Sequence, residues 1–408
     1  MKILSFFVFL VSVFCVASVA AHEEYGHGGA KVSQEKIWRD VLAKGQTLAV
    51  SVAFDTHGRL WRASVKNYHV WVDYSDDLGK TFSPPALVNP QAEAIGADGE
   101  NRPRIAIGKL GEVYVSWTKL WDKPFAGDVR FSRSLNGGKI FSTPLTVNDN
   151  HDVIGHRFVA MVVSPDGKIY LVWVDKRDAE SAKKKGKKYD GSSLYYAISD
   201  NFGASFSANM KLVDHSCDCC RIALVVPPEG APTAFWRHDF DGSIRDHALA
   251  RLDGKNEIRR VSHDEWKIDA CPHHGPALSI ASDNVYHLVW FDNAPKAHGL
   301  FYAQSRDKGQ TFSAQLHFGD DAKQAGHPDV LSLGQKIFLV WKEFDGETSS
   351  VWLMYSRDGG ALWALPNRVA VTHDTSDYPL LVTHNGKVWL SWNVRQEGYR
   401  FIALEDAP

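Results

Sequence analysis

The sequence predicts an all-β protein, a β-propeller of four-stranded antiparallel blades in which seven blades are favoured and six are the alternative. Two observations that run in phase along the chain predict this fold class. The first is a series of apolar segments that end in tryptophan, and the second is a repeated turn motif containing Ser, Asp and Gly. Units of about 50 residues with four strands each are typical of propeller blades.

Six apolar segments end in a tryptophan, with sequences such as YLVW, HLVW and FLVW. These tryptophans are Trp117, Trp173, Trp236, Trp290, Trp341 and Trp392, 51 to 63 residues apart. One period earlier, the segment LWRAS near Ser64 has the same character without the final tryptophan. The spacing predicts seven pairs of first and second strands. They are expected to begin near Leu48, Arg104, Phe158, Ile222, Ala277, Val330 and Leu380.

The turn motif occurs between these segments. Good copies start at Ser75 (SDDLGKTF), Ser199 (SDNFGASF), Ser305 (SRDKGQTF) and Ser356 (SRDGGALW), and degenerate copies lie near Ser132 and Arg251. An Asp or Asn oxygen accepts backbone N–H groups in a tight turn, and Gly adopts a conformation closed to other residues. The motif resembles the Asp-box, or BNR repeat, of the sialidase superfamily. The resemblance covers roughly residues 47 to 405 and implies a propeller with each box between the third and fourth strands of a blade.

The chain divides into three segments. Residues 1–21 read as a signal peptide, with Lys2, an apolar stretch and a small-residue cleavage site ending at Ala21. Residues 22–46 form an N-terminal segment, in which Lys36 to Val41 is a candidate for the strand that closes the ring. Residues 47–408 form the propeller. We therefore expect a periplasmic or secreted protein with no membrane span after signal cleavage.

Charge and cysteine usage narrow the partners. The formal net charge is only -2, which argues against nucleic acid as a partner because nucleic acid selects strongly basic surfaces. After removal of the signal peptide, the cysteines are Cys217, Cys219, Cys220 and Cys271. In an oxidising compartment an even number of cysteines is typical of disulfides, and four cysteines allow three pairings.

The topology of a propeller predicts which face carries a site. Turns after the first and third strands point to one face, so the Asp-boxes mark a structural face. Loops between blades and after the second strands point to the other face, around the central axis. These loops contain the motifs NRPR, GHR, CDCCR, CPHHG, GHPD and SDYP. We expect the binding site at this mouth.

The resemblance to sialidases implies one chemistry for the mouth. Members of that family bind the substrate carboxylate with three arginines, use a Tyr paired with a Glu as nucleophile, and use an Asp as acid/base. The matching candidates are Arg104, Arg157, Arg221 and Arg245 for the clamp, Tyr378 for the nucleophile, Glu343 for its base, and Asp175 or Asp246 for the acid. The chain departs from the family's Phe/Tyr-Arg-Ile-Pro motif, because residues 102–105 read Arg-Pro-Arg-Ile.

Metal binding is the other chemistry. Thiol and imidazole ligands suit copper or zinc, and copper is the favoured ion in an exported protein. The candidate ligands are His156, Cys217, Cys219, Cys220, Cys271, His273, His274, His327 and the new N-terminal His22. The alternative for the thiols is a disulfide between Cys271 and one cysteine of the 217–220 group.

The leading hypothesis is therefore an exported, sialidase-like propeller that binds a transition metal, preferably copper, at its mouth. The alternative is an exo-acting sialidase that binds a small sialic-acid-like glycan. A third possibility is a non-catalytic scaffold that binds another protein.

Overall fold

The computed structural model describes residues 47–268, 270 and 272–404. Within them the chain folds into seven antiparallel sheets, one for each predicted blade. The predicted all-β propeller with seven blades is thus confirmed. The signal peptide, the segment 22–46 with its candidate closing strand, His22 and Cys271 lie outside the described residues.

The strands follow one another in simple up-and-down order. Blade one contains β1 (Ser51–Phe54), β2 (Leu60–Lys66), β3 (His69–Ser75) and β4 (Ala86–Leu87), and blade two contains β5 (Arg104–Ile107), β6 (Val113–Leu120), β7 (Gly127–Ser134) and β8 (Leu145–Thr146). Blade three contains β9 (His156–Val163), β10 (Ile169–Asp175), β11 (Ser192–Ser199) and β12 (Met210–Ser216), and blade four contains β13 (Ala223–Val225), β14 (Thr233–Arg237), β15 (His247–Arg251) and β16 (Ile258–Arg260). Blade five contains β17 (Ala277–Ile280), β18 (Tyr286–Ala294), β19 (Ala297–Ser305) and β20 (Leu316–Phe318). Blade six contains β21 (Gly326–Leu333), β22 (Lys336–Phe344), β23 (Ser349–Ser356) and β24 (Asn367–Thr372). Blade seven contains β25 (Leu380–His384), β26 (Lys387–Val394) and β27 (Gly398–Leu404).

The innermost strands close the ring. Each contacts the innermost strand of the next blade, and β25 of blade seven contacts β1 of blade one. The core lies between neighbouring blades, where the six repeat tryptophans of the second strands are fully buried. An aromatic side chain of this size contributes several kcal/mol of burial free energy, roughly 25 cal/mol per Å² of apolar surface. The tryptophan repeat is therefore the repeat of the core.

The Asp-box turns have the predicted hydrogen bonds. In blade five, the Asp307 carboxylate accepts hydrogen bonds from the Ser305 hydroxyl at 2.8 Å, the Thr311 N–H at 2.9 Å and the Thr311 hydroxyl at 2.6 Å. The Gly309 N–H donates to the Ser305 hydroxyl at 2.8 Å. These bonds satisfy the turn internally and, through the Thr311 side chain, lower the pKa of Asp307 to about 2.

The box glycines also join the blades. Each has a positive φ, and in five of the six boxes a Cβ atom at the glycine would lie within 3.0 Å of a side chain of the preceding blade, whereas a Cβ at Gly254 in blade four meets no atom within 4 Å. The pairs are Gly79 with Phe401, Gly138 with Trp61, Gly203 with Phe131, Gly309 with Leu249, and Gly360 with Tyr302. The glycine is thus required twice, by the backbone conformation and by the close approach of the neighbouring blade.

The two faces are distinct, as the sequence predicted. All boxes join a third strand to a fourth strand, whereas the arginine-, histidine- and cysteine-rich loops join blades at the opposite end of the sheets. Two elements were not predicted. Helix α1 (Arg177–Lys184), with no buried residue, follows the second strand of blade three on the loop-rich face, and a 3-10 helix (Asp321–Lys323) follows the fourth strand of blade five. Within the described part of the chain, no helix has the length and apolar character needed to cross a membrane.

Candidate binding site at the mouth of the propeller

Glu100, just before blade two, is the centre of the mouth. Its carboxylate accepts hydrogen bonds from Arg221 Nη1 at 2.8 Å, from the backbone N–H of Arg221 at 3.1 Å and from that of Gly275 at 2.8 Å. Nδ1 of His327 lies 3.2 Å from the same carboxylate. One side chain therefore joins loops of blades two, four, five and six across the axis.

The charge of Glu100 is stabilised by these partners. Burial acts to raise the pKa of Glu100, but the charge of Arg221 and the hydrogen bond with His327 together outweigh it and hold the pKa well below its usual range. Glu100 is 1% exposed, so it is a buried permanent anion. Such an anion is tolerated only because its oxygens are fully engaged.

A stack of rings lines the mouth beside Glu100. The His327 ring lies parallel to that of Tyr378, with a 3.4 Å separation between centroids, and to that of His274 at 4.4 Å. His274 in turn stacks on Phe291 at 4.2 Å. Burial lowers the pKa of His327 to about 4, against the effect of Glu100. His327 is thus a neutral imidazole at neutral pH, stacked between the rings of Tyr378 and His274.

Arg102 and Asp377 form a buried ion pair that joins the first blade to the last. Arg102 donates to both oxygens of Asp377, at 2.8 and 2.9 Å, and to the carbonyls of Gly99 at 2.7 Å and Val50 at 2.9 Å. Asp377 also accepts the Val50 N–H at 2.9 Å. Both side chains are almost completely buried. This bidentate pair therefore belongs to the closure of the ring.

Arg104 differs from the other arginines of the mouth. Its Nε donates to the carbonyl of Val159 at 3.3 Å, while its two terminal nitrogens make no hydrogen bond to the described residues. Burial, together with the positive charges of Arg102 and Arg221, lowers the pKa of Arg104 to about 9. The guanidinium remains charged at neutral pH, so the mouth contains a partly buried cation with two donor nitrogens available.

The three other predicted clamp arginines are held by the protein. Arg221 donates to Glu100 and to the carbonyls of Pro276 at 3.1 Å and Pro328 at 2.7 Å. Arg157 lies over the Phe158 ring at 4.9 Å, and Arg245 pairs with Asp239 at 3.0 Å. The structure brings Arg104 and Arg221 together with Arg102, which sequence reasoning did not include.

The predicted catalytic carboxylates lie near strand ends on the loop-rich face of the propeller. Asp175 accepts the Trp173 indole N–H at 2.8 Å and also accepts hydrogen bonds from Nε and Nη2 of Arg177, at 3.0 and 2.9 Å. Glu343 accepts the Trp341 indole N–H at 2.8 Å. Asp246 is bound by Arg260.

At these positions the carboxylates of Asp175 and Glu343 each accept a hydrogen bond that is part of the blade structure. The repeat tryptophan of a second strand donates its indole N–H to a carboxylate two residues later in blades three and six. Glu343 also accepts the Asp320 N–H at 3.0 Å. The carboxylate that acts most strongly on the Tyr378 hydroxyl is Glu100, not Glu343. The roles proposed from the sequence for Asp175, Asp246 and Glu343 thus remain predictions without a geometric argument in their favour.

The predicted metal ligands do not come together in one group. Cys217, Cys219 and Cys220 are buried together, and their sulfur atoms all lie within 4.8 Å of one another. In the described part of the chain, no histidine joins this group at that distance. His274 and His327 belong to the ring stack, and His273 lies beside them in sequence with a φ of 51°.

His156 is also separate from the thiols. It is completely buried, and neither ring nitrogen has a hydrogen-bond partner among the described residues. Burial lowers the pKa of His156, so its ring is neutral. Sequence reasoning missed Glu100, Arg102 and Asp377, although each lies in or next to a motif that it did identify, NRPR or SDYP.

Comparison with known proteins supports the fold. No family model and no curated protein matches the sequence. Among solved structures, the chain is similar to a Hadza microbial sialidase, Hz136, with a TM-score of 0.51 and 15% identity over 88% of this chain and 74% of that chain. It is also similar to an ulvan lyase of polysaccharide lyase family PL25 bound to -[GlcA(1-4)Rha3S]-, with a TM-score of 0.53 and 10% identity over 89% and 92% of the two chains.

A third similar structure is the α-L-arabinanase of Penicillium chrysogenum complexed with arabinobiose, with a TM-score of 0.50 and 10% identity over 78% of this chain and 94% of that chain. At these identities the similarity shows the fold, which is a sialidase-like propeller. The fold alone assigns no activity, because propellers host many functions.

Proposed function

We propose that the protein binds an acidic carbohydrate at the mouth of the propeller, with the carboxylate of the ligand on Arg104. The observation that carries this proposal is the Arg104 guanidinium, whose terminal nitrogens have no partner among the described residues. A planar guanidinium matches a carboxylate in a bidentate geometry. The neighbouring arginines Arg102 and Arg221 are already paired, so Arg104 is the cation available to a ligand.

The surroundings of Arg104 favour a sugar over a simple anion. The Tyr378 ring and its hydroxyl lie in the same mouth, and an aromatic face beside polar groups is typical of carbohydrate sites. The similar solved structures also include a sialidase, an arabinanase and a lyase bound to a glycan that contains glucuronic acid. These likenesses support a carbohydrate ligand in the proposal, whereas the acidic group is argued from Arg104.

Calorimetry with defined oligosaccharides tests the proposal. The probes are a glucuronic acid-containing oligosaccharide, sialyllactose and the neutral arabinobiose. Replacing Arg104 with Gln removes a charge-assisted hydrogen bond worth about 1.5–3 kcal/mol, so binding of an acidic probe is expected to weaken by about 10- to 150-fold. The matched control is Arg59→Gln, because Arg59 lies on the Asp-box face, paired with the exposed Asp76.

The outcomes are distinct. Binding of an acidic probe that is lost in Arg104→Gln and retained in Arg59→Gln supports the proposal. Equal binding of acidic probes by both variants contradicts the role of Arg104. Binding of arabinobiose alone contradicts the acidic ligand.

A second candidate function is hydrolysis of a sialic-acid-like glycan, with Tyr378 as the reacting group. The observation in its favour is the position of the Tyr378 hydroxyl near Glu100. Burial, followed by the charge of Glu100, raises the pKa of Tyr378 well above its usual value, so the hydroxyl is protonated in the free protein. As a nucleophile it therefore has to lose this proton to a base when the substrate is bound.

Release of the aryl group from an aryl sialoside tests this activity. Tyr378→Phe is expected to abolish turnover while leaving the binding of sialyllactose nearly unchanged. Tyr74→Phe, on the Asp-box side of blade one, is the control. Absence of turnover in the unmodified protein contradicts hydrolysis and leaves the binding proposal to its own test.

Export is part of the proposal, since an extracellular glycan is met outside the cytoplasm. We propose that the leader is cleaved after Ala21 and that the protein is periplasmic or secreted. N-terminal sequencing of protein recovered from the periplasm or the medium is expected to give His22 as the first residue. Recovery of the intact leader on cytoplasmic protein contradicts export.

A further inference from the structure

The three cysteines between blades three and four are the strongest unexplained feature of the molecule. Cys217, Cys219 and Cys220 are each no more than 3% exposed. The sulfur of Cys217 lies 3.7 Å from that of Cys219 and 3.7 Å from that of Cys220. The cluster includes neither Arg104 nor Tyr378, so these thiols are not part of the proposed carbohydrate site.

We propose that these three thiolates bind a thiophilic d10 metal ion, Zn²⁺ or Cu⁺. Thiolate ligands select such ions, and Zn–S bonds are about 2.3 Å long. Two sulfur atoms bound to one tetrahedral ion at that length are about 3.8 Å apart. The two sulfur separations of 3.7 Å agree with this value, and the third pair lies within the same 4.8 Å limit. The cluster therefore has the dimensions of three corners of a metal site.

The surroundings of the cluster suit an anionic complex. Three thiolates with one Zn²⁺ carry a net charge of -1, which is costly in an apolar interior without a positive neighbour. Arg237, which is completely buried, and Arg245 both act electrostatically on Cys217. Arg245 is paired with Asp239, which also interacts electrostatically with Cys217. The other neighbours are mainly apolar, since the cysteines share a core cluster with Phe158 and Trp236. A buried arginine and an arginine–aspartate pair beside three thiolates in a mainly apolar core fit a metal–thiolate complex.

The coordination number distinguishes the two ions. Cu⁺ is satisfied by three thiolates, whereas Zn²⁺ takes a fourth ligand. Water is the fourth ligand in zinc sites that have three protein ligands.

The experiment uses the full chain, exported with its own leader and purified without a histidine tag. Elemental analysis measures the bound zinc and copper, and mass spectrometry of the non-reduced protein detects any disulfide. The metal is then removed with chelator and reductant, and Co²⁺ is added as a spectroscopic probe. Co²⁺ bound to thiolates gives an intense charge-transfer absorption in the near ultraviolet, which needs no enzymatic activity.

Variants test the ligands. Cys217→Ser is expected to reduce the bound metal to a sub-stoichiometric level and to abolish the Co²⁺ absorption. His317→Gln is the control for adventitious binding, because His317 is exposed and lies 3.2 Å from Asp321.

One equivalent of zinc or copper with a thiolate absorption that Cys217→Ser removes supports the proposal. Three outcomes overturn it: a disulfide within the cluster, sub-stoichiometric metal with no Co²⁺–thiolate absorption, or equal loss of metal in His317→Gln. Where Cys217→Ser does not fold, the Co²⁺ titration of the unmodified protein and its reversal by chelator decide the question alone.

Discussion

His287 is predicted to make the propeller sensitive to mild acid. It lies on β18, is 1% exposed, and its Nδ1 is 2.8 Å from the hydroxyl of Tyr302. The Asp-box hairpin of blade six covers Tyr302, which lies against Gly360 and Trp363. Burial raises the pKa of Tyr302, so its hydroxyl donates the hydrogen bond and the neutral imidazole accepts it. Burial also lowers the pKa of His287 to about 4.

The magnitude is set by the difference between the folded and unfolded states. An unfolded histidine has a pKa of about 6.5, so between pH 6.5 and pH 4 the unfolded state binds a proton that the folded state does not. The contribution of His287 is therefore fully present above about pH 6.5 and is lost as the pH falls toward 4. A tenfold difference in proton affinity is worth about 1.4 kcal/mol, which gives about 2 kcal/mol between pH 7 and pH 5.

Urea unfolding followed by tryptophan fluorescence measures this loss. His287→Gln keeps a hydrogen-bond acceptor for Tyr302 but cannot be protonated. The unmodified protein is expected to lose about 2 kcal/mol more than the variant between pH 7 and pH 5. Comparing the two proteins cancels the opposite contribution of Asp292, whose pKa burial raises to about 7. The exposed His317 provides the control substitution, His317→Gln, with an unchanged slope. Parallel stability curves for His287→Gln and the unmodified protein refute the reasoning.

Two further predictions concern the joints between blades. Gly138→Ala is expected to destabilise the protein by about 1–3 kcal/mol more than Gly137→Ala in thermal or urea unfolding, because both glycines have a positive φ but only a Cβ at Gly138 meets the Trp61 ring, at 2.5 Å. Equal losses contradict that contact as the cause. Arg102→Gln is expected to cost about 3–5 kcal/mol, because it leaves the buried Asp377 without its cation. A loss below about 1 kcal/mol in the same assay contradicts the assignment of this pair to ring closure.

The fold could be predicted from the sequence because the features that repeat from blade to blade depend on residues close together in the chain. A box fixes one hairpin through bonds within a few residues, and an indole within a second strand fills the space between two blades. Both features can be recognised in the sequence without knowledge of any contact between distant residues. Helix α1 was missed because it has no buried residue, and therefore no apolar periodicity from which a helix is predicted.

The site was only partly predictable, because its contacts join distant parts of the chain. Glu100 meets Arg221 across 121 residues, and Arg102 meets Asp377 across 275 residues. Sequence reasoning placed the polar loops on the correct face but could not tell a paired arginine from an available one. It also predicted Glu343 as the base for Tyr378, whereas in the structure the Glu343 carboxylate accepts a hydrogen bond from the indole N–H of Trp341.

The two proposed sites share one loop. Cys220 and Arg221 are adjacent, and Arg221 holds Glu100 while donating to carbonyls of blades five and six. A metal ion bound to the thiolates fixes the backbone immediately before Arg221, and so restricts where the Glu100 carboxylate and the rings beside it can lie. Removal of the metal is therefore expected to weaken carbohydrate binding without any contact between the ion and the sugar. Unchanged affinity after metal removal would show that the hydrogen bonds of Arg221 hold this loop by themselves.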